Sequence, residues 1–552
     1  VKAGILLFAD GCRYRYRHSW DLSQPVGGHG TPLEILASRF SGLPGVDEVV
    51  LLAPAGSEWE PLAAQAARLR LPVHRFDLSA VLAKPVSATQ ERWQLESDSG
   101  ADSWIGSAIA GCVASRRWDR LVLVPLTNLL VDRRGVEESF RLHLREGFDA
   151  TFPEDRLTGA NWAIFEAALI AGLQASHPDI MAVRGGLAWA VREPLYPFRI
   201  GEYHAPRHRP RIPVDLRLVG HRAAATFAAA GGDAFAAPEF SYLDWVLTSR
   251  WEDVYLDAGP LTAVIEPSSI CAGSCLHCPQ PHLHRSRGSM SLPVFERIVA
   301  ALESAEGLRW VFSGMGEPLE NPDLMRMAAM LGEKHVTLYT SLNREPPADL
   351  RWEPFDLVRI SLDALEAEGF RRNRPGCSWE RIERFLAEAS ARKSAAPEAF
   401  PEIGISFLKH RDNDREADAF LRYGKRICSP VFRKQFFTWP TDAPPQRVQW
   451  YQILGVAEYL GAVAYAGVTR YTPLNRRPCL HALLGVHVLQ DGTVARCPYD
   501  TEGTHGWGAI PPEELLERWN GDAWKRFRRE HLGLTFDASS PCRTCPDWYH
   551  RG

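Results

Sequence analysis

From residue 261 the sequence repeats one step. Short β-branched runs, LTAVIE (261–266), LRWVFS (308–313), HVTLYT (335–340), LVRISL (357–362), IGISFL (403–408) and VFRKQFF (431–437), are separated in several places by amphipathic stretches such as LPVFERIVAALESA and WERIERFLAEASARK. Strands alternating with helices make a parallel, layered α/β domain. Six such steps predict a barrel or partial barrel, with ligand sites at the carboxyl ends of the strands. A second alternation occupies the first 150 residues or so, with strands GILLFA, VDEVVLLAP and RLVLVPL and helices TPLEILASRFSGL and VEESFRLHLREG. Residues 151–255 are mixed, and WPTDAPPQ, rich in proline, reads as a linker before the last domain. The expected plan is an α/β domain over 1–200, a connecting region over 201–256, the barrel over 257–440 and a small domain over 441–552.

A chain of 552 residues is too long for a single core. Its formal charge of −4 leaves no basic footprint for nucleic acid. No apolar run approaches the roughly 20 residues that cross a bilayer, and VKAGILLFADGC reads as a first strand rather than a signal peptide. A cytoplasmic location is expected, and there cysteines serve metals or catalysis more than crosslinks. Of the eleven cysteines, Cys12, Cys112, Cys377 and Cys428 are scattered, and the other seven form one tight triplet and one carboxy-terminal quartet.

The triplet is Cys271-Ala-Gly-Ser-Cys275-Leu-His-Cys278, on the loop after the first barrel strand. Three thiolates on a cubane iron–sulfur cluster leave one iron open, and a catalytic centre needs such an open position. A zinc site completed by His277, His282 or His284 is the alternative.

The spacing Cys-x3-Cys-x2-Cys resembles the signature of radical S-adenosylmethionine (SAM) enzymes, and QPHLHRSRGSMSLPVFERIV resembles their first helix and its approach. Ser313-Gly314-Met315-Gly316-Glu317-Pro318, after the second strand, is similar to the family's Gly-Gly-Glu-Pro element. By that resemblance Gly314 and Gly316 let backbone carbonyls approach the ammonium group of SAM, and Glu317 adds a charge-assisted hydrogen bond. Ser361 and Asp363, taken as one face of the fourth strand, resemble the pair that binds the cofactor's ribose; in isolation such a pair is a helix cap. Arg374 resembles a basic residue near the cofactor's carboxylate, against a solvated loop arginine. Asn343 is a further polar candidate, and His277 stands where relatives carry an aromatic residue. The resemblance implies a [4Fe–4S] cluster whose fourth iron takes SAM, reductive cleavage to a 5′-deoxyadenosyl radical, and an electron donor such as flavodoxin or ferredoxin.

In the last domain the hairpin LQDGTVARC returns Cys497 beside Cys479, and Cys542 and Cys545 form a Cys-x-x-Cys pair. This resembles the SPASM domain and implies one auxiliary [4Fe–4S] cluster; a structural zinc site is the alternative. KAGILLFADGCRYRYR, GGHGTPLEILASRF and GVDEVVLLAP loosely resemble a nucleotidyltransferase of the glycosyltransferase-A type. The metal-binding Asp of such enzymes falls at Thr127 or Asn128, with Asp132 close by. The loop departs from a glycine-rich pattern at Asp10, Gly11 and Cys12, and Arg13, Arg15 and Arg17 follow it. A degenerate binding domain is therefore expected. The whole order resembles the spiro-SPASM proteins.

Three functions remain: hydrogen abstraction from a peptide or protein, modification of a sugar or nucleotide-linked molecule, and a zinc-stabilised scaffold without turnover. Cys377 and Cys428 are read as buried structural thiols or as hydrogen-atom donors.

Overall fold

The computed structural model describes residues 2–9, 21–77, 105–153, 162–182, 198–203, 232–242, 259–275, 280–305, 308–332, 334–344, 352–395, 401–409, 431–435, 479–498 and 500–543, with a few isolated positions between them. They fall into two compact units, Val1–Ala258 and Gly259–Gly552.

The first unit is built on a seven-stranded sheet in the order β3-β2-β1-β4-β6-β5-β7. The strands are β1 (Ala3–Phe8), β2 (Glu48–Pro54), β3 (Val73–Phe76), β4 (Arg120–Pro125), β5 (Ala150–Pro153), β6 (Ala163–Glu166) and β7 (Ile200–Tyr203). β1 pairs in parallel with β2 and β4, and β6 is antiparallel to β4 and β5. The expected helix after the glycine-rich turn spans Pro32–Phe40. It starts in a capping box, in which Thr31 and Glu34 satisfy each other's backbone N–H groups.

The place where the resembled transferases carry a metal-binding Asp has a structural occupation here. Thr127 and Asn128 are fully buried, and Asp132 caps the helix Arg133–Glu146 by accepting from Gly135 N–H. A buried cap leaves that carboxylate turned to the helix. Arg39 is wholly buried beside it, donating to the carbonyls of Leu129, Val131 and Phe235. Burial lowers its pKa to about 9, against the pull of Asp132. Asp10 to Arg17 lie outside the described residues.

The second unit has one nine-stranded sheet, in the order β13-β12-β11-β10-β9-β8-β14-β15-β16. All six runs expected from the sequence are strands: β8 (Thr262–Ile265), β9 (Arg309–Phe312), β10 (His335–Thr340), β11 (Leu357–Ser361), β12 (Glu402–Lys409) and β13 (Val431–Gln435). Consecutive members pair in parallel. One face of this sheet carries Ile265, Trp310, Phe312, Val336, Leu338, Val358, Ile360 and Ile405 into a core. Helices Leu292–Ala301, Leu324–Met330 and Trp379–Ala395 supply Phe295, Ile298, Met327, Ile382 and Phe385 to it. By alternation the opposite face holds Thr262, Arg309, Thr337, Tyr339, Arg359, Ser361 and Ser406 together with Val264, Val311 and Leu357. The first face is uniformly greasy, and the second carries the polar side chains of the sheet.

The carboxy-terminal hairpin is not a separate body. β14 (Gly485–Val488) pairs in parallel with β8, and β15 (Thr493–Ala495) returns antiparallel beside it. Gly492 makes the turn at φ +88°, a conformation that favours glycine. The short β16 (Gly508–Ala509) completes the edge, and helices Leu515–Asn520 and Asp522–Gly533 add Trp519, Trp524 and Phe527 to the same core.

Side chains join the hairpin to the loop after β8. Arg285 donates to the Glu266 carboxylate at 2.7 Å, to Gln490 Oε1 at 2.7 Å and to the Thr501 carbonyl at 2.6 Å. Glu502 accepts from the backbone of His284 and Arg285, both at 3.0 Å. The side chains of Arg285 and Glu266 are 8% and 3% exposed, so removing one partner strands a buried charge. Arg285→Met should destabilise the second unit by about 3–5 kcal/mol and weaken amide-exchange protection across Gly485–Ala495. Unchanged protection there would show that the pair does not hold the hairpin.

Candidate active site

Most residues of this site stand at or just beyond the carboxyl end of a strand, and Arg374 to Cys377 form the turn after helix Ala367–Asn373. The loop after β8 starts with Glu266, whose backbone N–H still pairs with Val488, and carries Cys271, Cys275 and Cys278. Cys275 is buried, and Cys271 and Cys278 are half-buried. The loop is pinned back on itself where Met290 N–H bonds the Pro267 carbonyl and Ser269 N–H bonds that of Gly288.

The two glycines after β9 are required by packing. A Cβ at Gly314 would lie 2.4 Å from Glu266 Cγ, and one at Gly316 would lie 2.3 Å from the Ser268 carbonyl oxygen. Between them, Met315 N–H donates to Glu266 Oε1 at 2.8 Å. The glycines therefore seat this segment on the cysteine loop, a reason the sequence reading did not include. Gly314 itself is exposed and Gly316 half-exposed.

Glu317 was read as a partner for the cofactor's ammonium. Its carboxylate is 1% exposed and accepts from the Thr340 hydroxyl, from Leu319 N–H at 3.3 Å, and from Ser341 N–H at 2.9 Å and Oγ–H at 3.0 Å. Four donors on two oxygens match the capacity of a carboxylate. They tie the end of β9 to the end of β10. Burial raises the pKa of Glu317 in spite of these donors.

At β11 the geometry differs from simple alternation. The strand ends at Ser361, and Asp363 has φ +55°, so the two are not on one face of a strand. The left-handed turn brings Asp363, 1% exposed, against Arg374 with Nε–Oδ2 at 2.6 Å. Arg374 is thus a buried, paired residue, and its Nη1 lies 3.6 Å from Cys275 Sγ. Burial opposes its charge, and Asp363 and the nearby sulfurs outweigh that and raise its pKa.

Two contacts were missed or underrated. Asn343, after β10, donates Nδ2–H to Cys271 Sγ at 2.9 Å. The turn Arg374-Pro375-Gly376-Cys377 lies on the cysteine loop: Ser274 N–H bonds the Pro375 carbonyl at 2.8 Å, and Gly376 has φ +82° with a Cβ position 2.7 Å from the Ala272 carbonyl. Pro-Gly announced a turn in the sequence, but its docking partner was not readable from it. Cys377 is buried and hydrogen-bonded to Cys275. That bond, with Arg374 assisting against burial, draws the Cys275 thiol down to about 7, whereas burial pushes Cys278 up to about 12 and raises Cys271.

Of the zinc alternatives, His284 is exposed, and His277 and the His282 side chain lie outside the described residues. Among the described residues, no three His, Cys, Asp or Glu side chains converge on a single ion. A cubane offers three separate irons to three thiolates, which suits this set.

The family comparisons agree. Residues 265–422 match the model of the radical SAM superfamily, and residues 479–546 match that of SPASM, an iron–sulfur cluster-binding domain. The chain is a radical SAM enzyme with a SPASM domain. Its cofactors are a SAM-binding [4Fe–4S] cluster and auxiliary iron–sulfur. No curated protein matches the sequence. Among solved structures, a cytidylyltransferase from Leptospira borgpetersenii shares 16% identity at a TM-score of 0.35, over 45% of this chain and 93% of its own. The enzyme anSMEcpe with AdoMet and the Cp18Cys peptide shares 18% at 0.34, over 53% and 88%. SuiB of Streptococcus suis, bound to its precursor peptide SuiA, shares 14% at 0.33, over 56% and 76%.

In the SPASM domain, Cys479 precedes the short helix that leads into β14, and Cys497 follows β15, which places both at one end of the hairpin. Cys479 and Cys542 are half-buried against the core of the second unit. Cys545 and Cys428 lie outside the described residues. No helix among the described residues is long and apolar enough to cross a membrane.

Gly316→Ala tests the seating of the radical SAM loop. The added methyl group should cost about 1–3 kcal/mol and lower the iron bound after anaerobic reconstitution. Full iron with unchanged melting would show that the loop does not rest on this glycine.

Proposed function

We propose that this radical SAM enzyme abstracts a hydrogen atom from a peptide or protein substrate held over the sheet face that carries the polar side chains. The observation that carries the reaction class is the collection of Cys271, Cys275 and Cys278 on one strand-end loop, braced by residues from other strand ends and from the turn after helix Ala367–Asn373. The peptide substrate rests on the SPASM resemblance, a family-level warrant.

When bound, the cluster supplies one low-potential electron to the sulfonium of SAM, giving methionine and a 5′-deoxyadenosyl radical that takes the substrate hydrogen. The chain's own residues hold and shape that site. Cys271, Cys275 and Cys278 bind the cluster. Glu266 and Glu317 keep the loops after β8 and β9 in place from below. Gly314 and Gly316 present backbone on the open side, where the SAM ammonium is expected. Ser361, half-exposed at the end of β11, is placed to meet the ribose. Asp363 holds Arg374 beside Cys275, so the buried cation offsets thiolate charge.

Cys479, Cys497, Cys542 and Cys545 hold one auxiliary cluster. Four protein thiolates leave no open iron, which suits electron transfer rather than substrate ligation. A flavodoxin or ferredoxin is the proposed donor. The first unit, with Asp132 used as a helix cap, serves binding rather than nucleotidyl transfer.

Replacing Cys271, Cys275 and Cys278 together by Ala should abolish 5′-deoxyadenosine formation with dithionite, while about four irons stay in the tail. The reading fails if the variant still makes 5′-deoxyadenosine. One zinc and no iron in that variant would make the tail structural only. With the wild type, a peptide that raises 5′-deoxyadenosine output supports the substrate class; stimulation by a nucleotide sugar alone overturns it.

A further inference from the structure

Two of the three ligand sulfurs receive hydrogen bonds from side chains outside the cysteine motif. Asn343 Nδ2–H reaches Cys271 Sγ at 2.9 Å. Arg374 Nη1 approaches Cys275 Sγ at 3.6 Å, and the electrostatics of Cys275 are dominated by the neighbouring Cys377 thiol. The third sulfur, that of Cys278, accepts among the described residues from the local backbone N–H of Gln280 at 3.4 Å.

Neither outside donor is loosely placed. Asn343 is 4% exposed, and its backbone carbonyl accepts from Arg381. Cys377 is 8% exposed and sits so close to the loop that a Cβ on Gly273 would come within 2.9 Å of its sulfur. Its turn is fixed by the Ser274–Pro375 hydrogen bond and by Gly376 in the left-handed region. Asn343 comes from the end of another strand, and Cys377 from the turn between helices Ala367–Asn373 and Trp379–Ala395, so neither belongs to the loop that carries the cysteines.

We propose that Asn343 and Cys377 are positioning residues that raise the reduction potential of the SAM-site cluster by hydrogen-bonding the sulfurs of Cys271 and Cys275. The inference rests on the radical SAM reading above. One-electron reduction adds negative charge to the cluster and its thiolates. A donor at a ligand sulfur therefore stabilises the reduced form more than the oxidised one, and the potential rises. No bond to the cluster forms or breaks in that step; the electron comes from a low-potential protein donor, or from dithionite in the experiment. Arg374 acts in the same direction, but its charge is already paired with Asp363. The neutral donors are the adjustable part.

The test is an EPR-monitored redox titration of the full-length, anaerobically reconstituted protein, with and without SAM. The SAM-site cluster is the one whose signal changes when SAM is added. Asn343→Asp removes the donor and adds a charge, so Asn343→Leu, which removes the donor at similar size without a charge, must shift the potential in the same direction; Cys377→Ala removes the thiol, and Cys377→Ser restores an O–H donor. Asn343→Asp, Asn343→Leu and Cys377→Ala should each weaken electron affinity about tenfold, a fall of about 59 mV for a one-electron couple. Cys377→Ser should return to the wild-type value. Iron content should stay at wild-type level in all four.

Wild-type potentials in Asn343→Leu and Cys377→Ala overturn the proposal. So does a Cys377→Ser potential as low as that of Cys377→Ala, or a loss of iron with no shift in the cluster that remains. A wild-type protein with no SAM-responsive signal would instead overturn the radical SAM reading itself.

Discussion

The Glu266 carboxylate is the joint of the second unit. At 2% exposure it accepts from Arg285 at 2.7 Å, from Met315 N–H at 2.8 Å and from Gln490 N–H at 3.1 Å. Those three donors belong to the cysteine loop, the segment after β9 and the tail hairpin. A buried carboxylate tolerates no loss of partners, so the three segments are fixed by one demand for hydrogen bonds. Glu317 does the same one step along the sheet, between β9 and β10.

This arrangement explains how a loop without regular structure can present three thiols. Loops at strand ends are where function resides, but they carry backbone polar groups that need partners. Here the partners come from neighbouring strand ends and from the turn after helix Ala367–Asn373. Ser274 bonds Pro375, Glu317 N–H bonds the Ile270 carbonyl, and Asn343 bonds Cys271. The cysteine motif supplies the thiols, and the rest of the sheet supplies their geometry and their electrostatic surroundings. The SPASM hairpin contributes directly, since β14 extends the sheet beside the very strand that leads into the motif.

What was legible in the sequence is local. The six parallel strands follow from β-branched runs, and the hairpin from Asp491-Gly492 flanked by alternating residues. The three cysteines announce themselves by spacing. What was not legible depends on partners far apart in the chain. Glu266 looked like the last residue of a strand, and nothing in LTAVIE says that Arg285 and Gln490 will meet it. Gly314 and Gly316 read as ligand-facing positions, and that Glu266 and the Ser268 carbonyl also demand glycine there was not legible. Ser361 and Asp363 were placed by strand alternation, which stops where Asp363 enters the left-handed region. Asp132 stood only near the place where the resembled enzymes carry a metal-binding Asp, and its position before a helix makes it a cap.

The central claim is that three thiolates leave one iron for the amino and carboxylate groups of SAM. Pulsed ENDOR of the reduced protein, with SAM carrying 15N in the amino group and 17O in the carboxylate, addresses it directly. Hyperfine coupling of both labels to the SAM-responsive cluster is the predicted result. Tightly bound SAM without either coupling would contradict it.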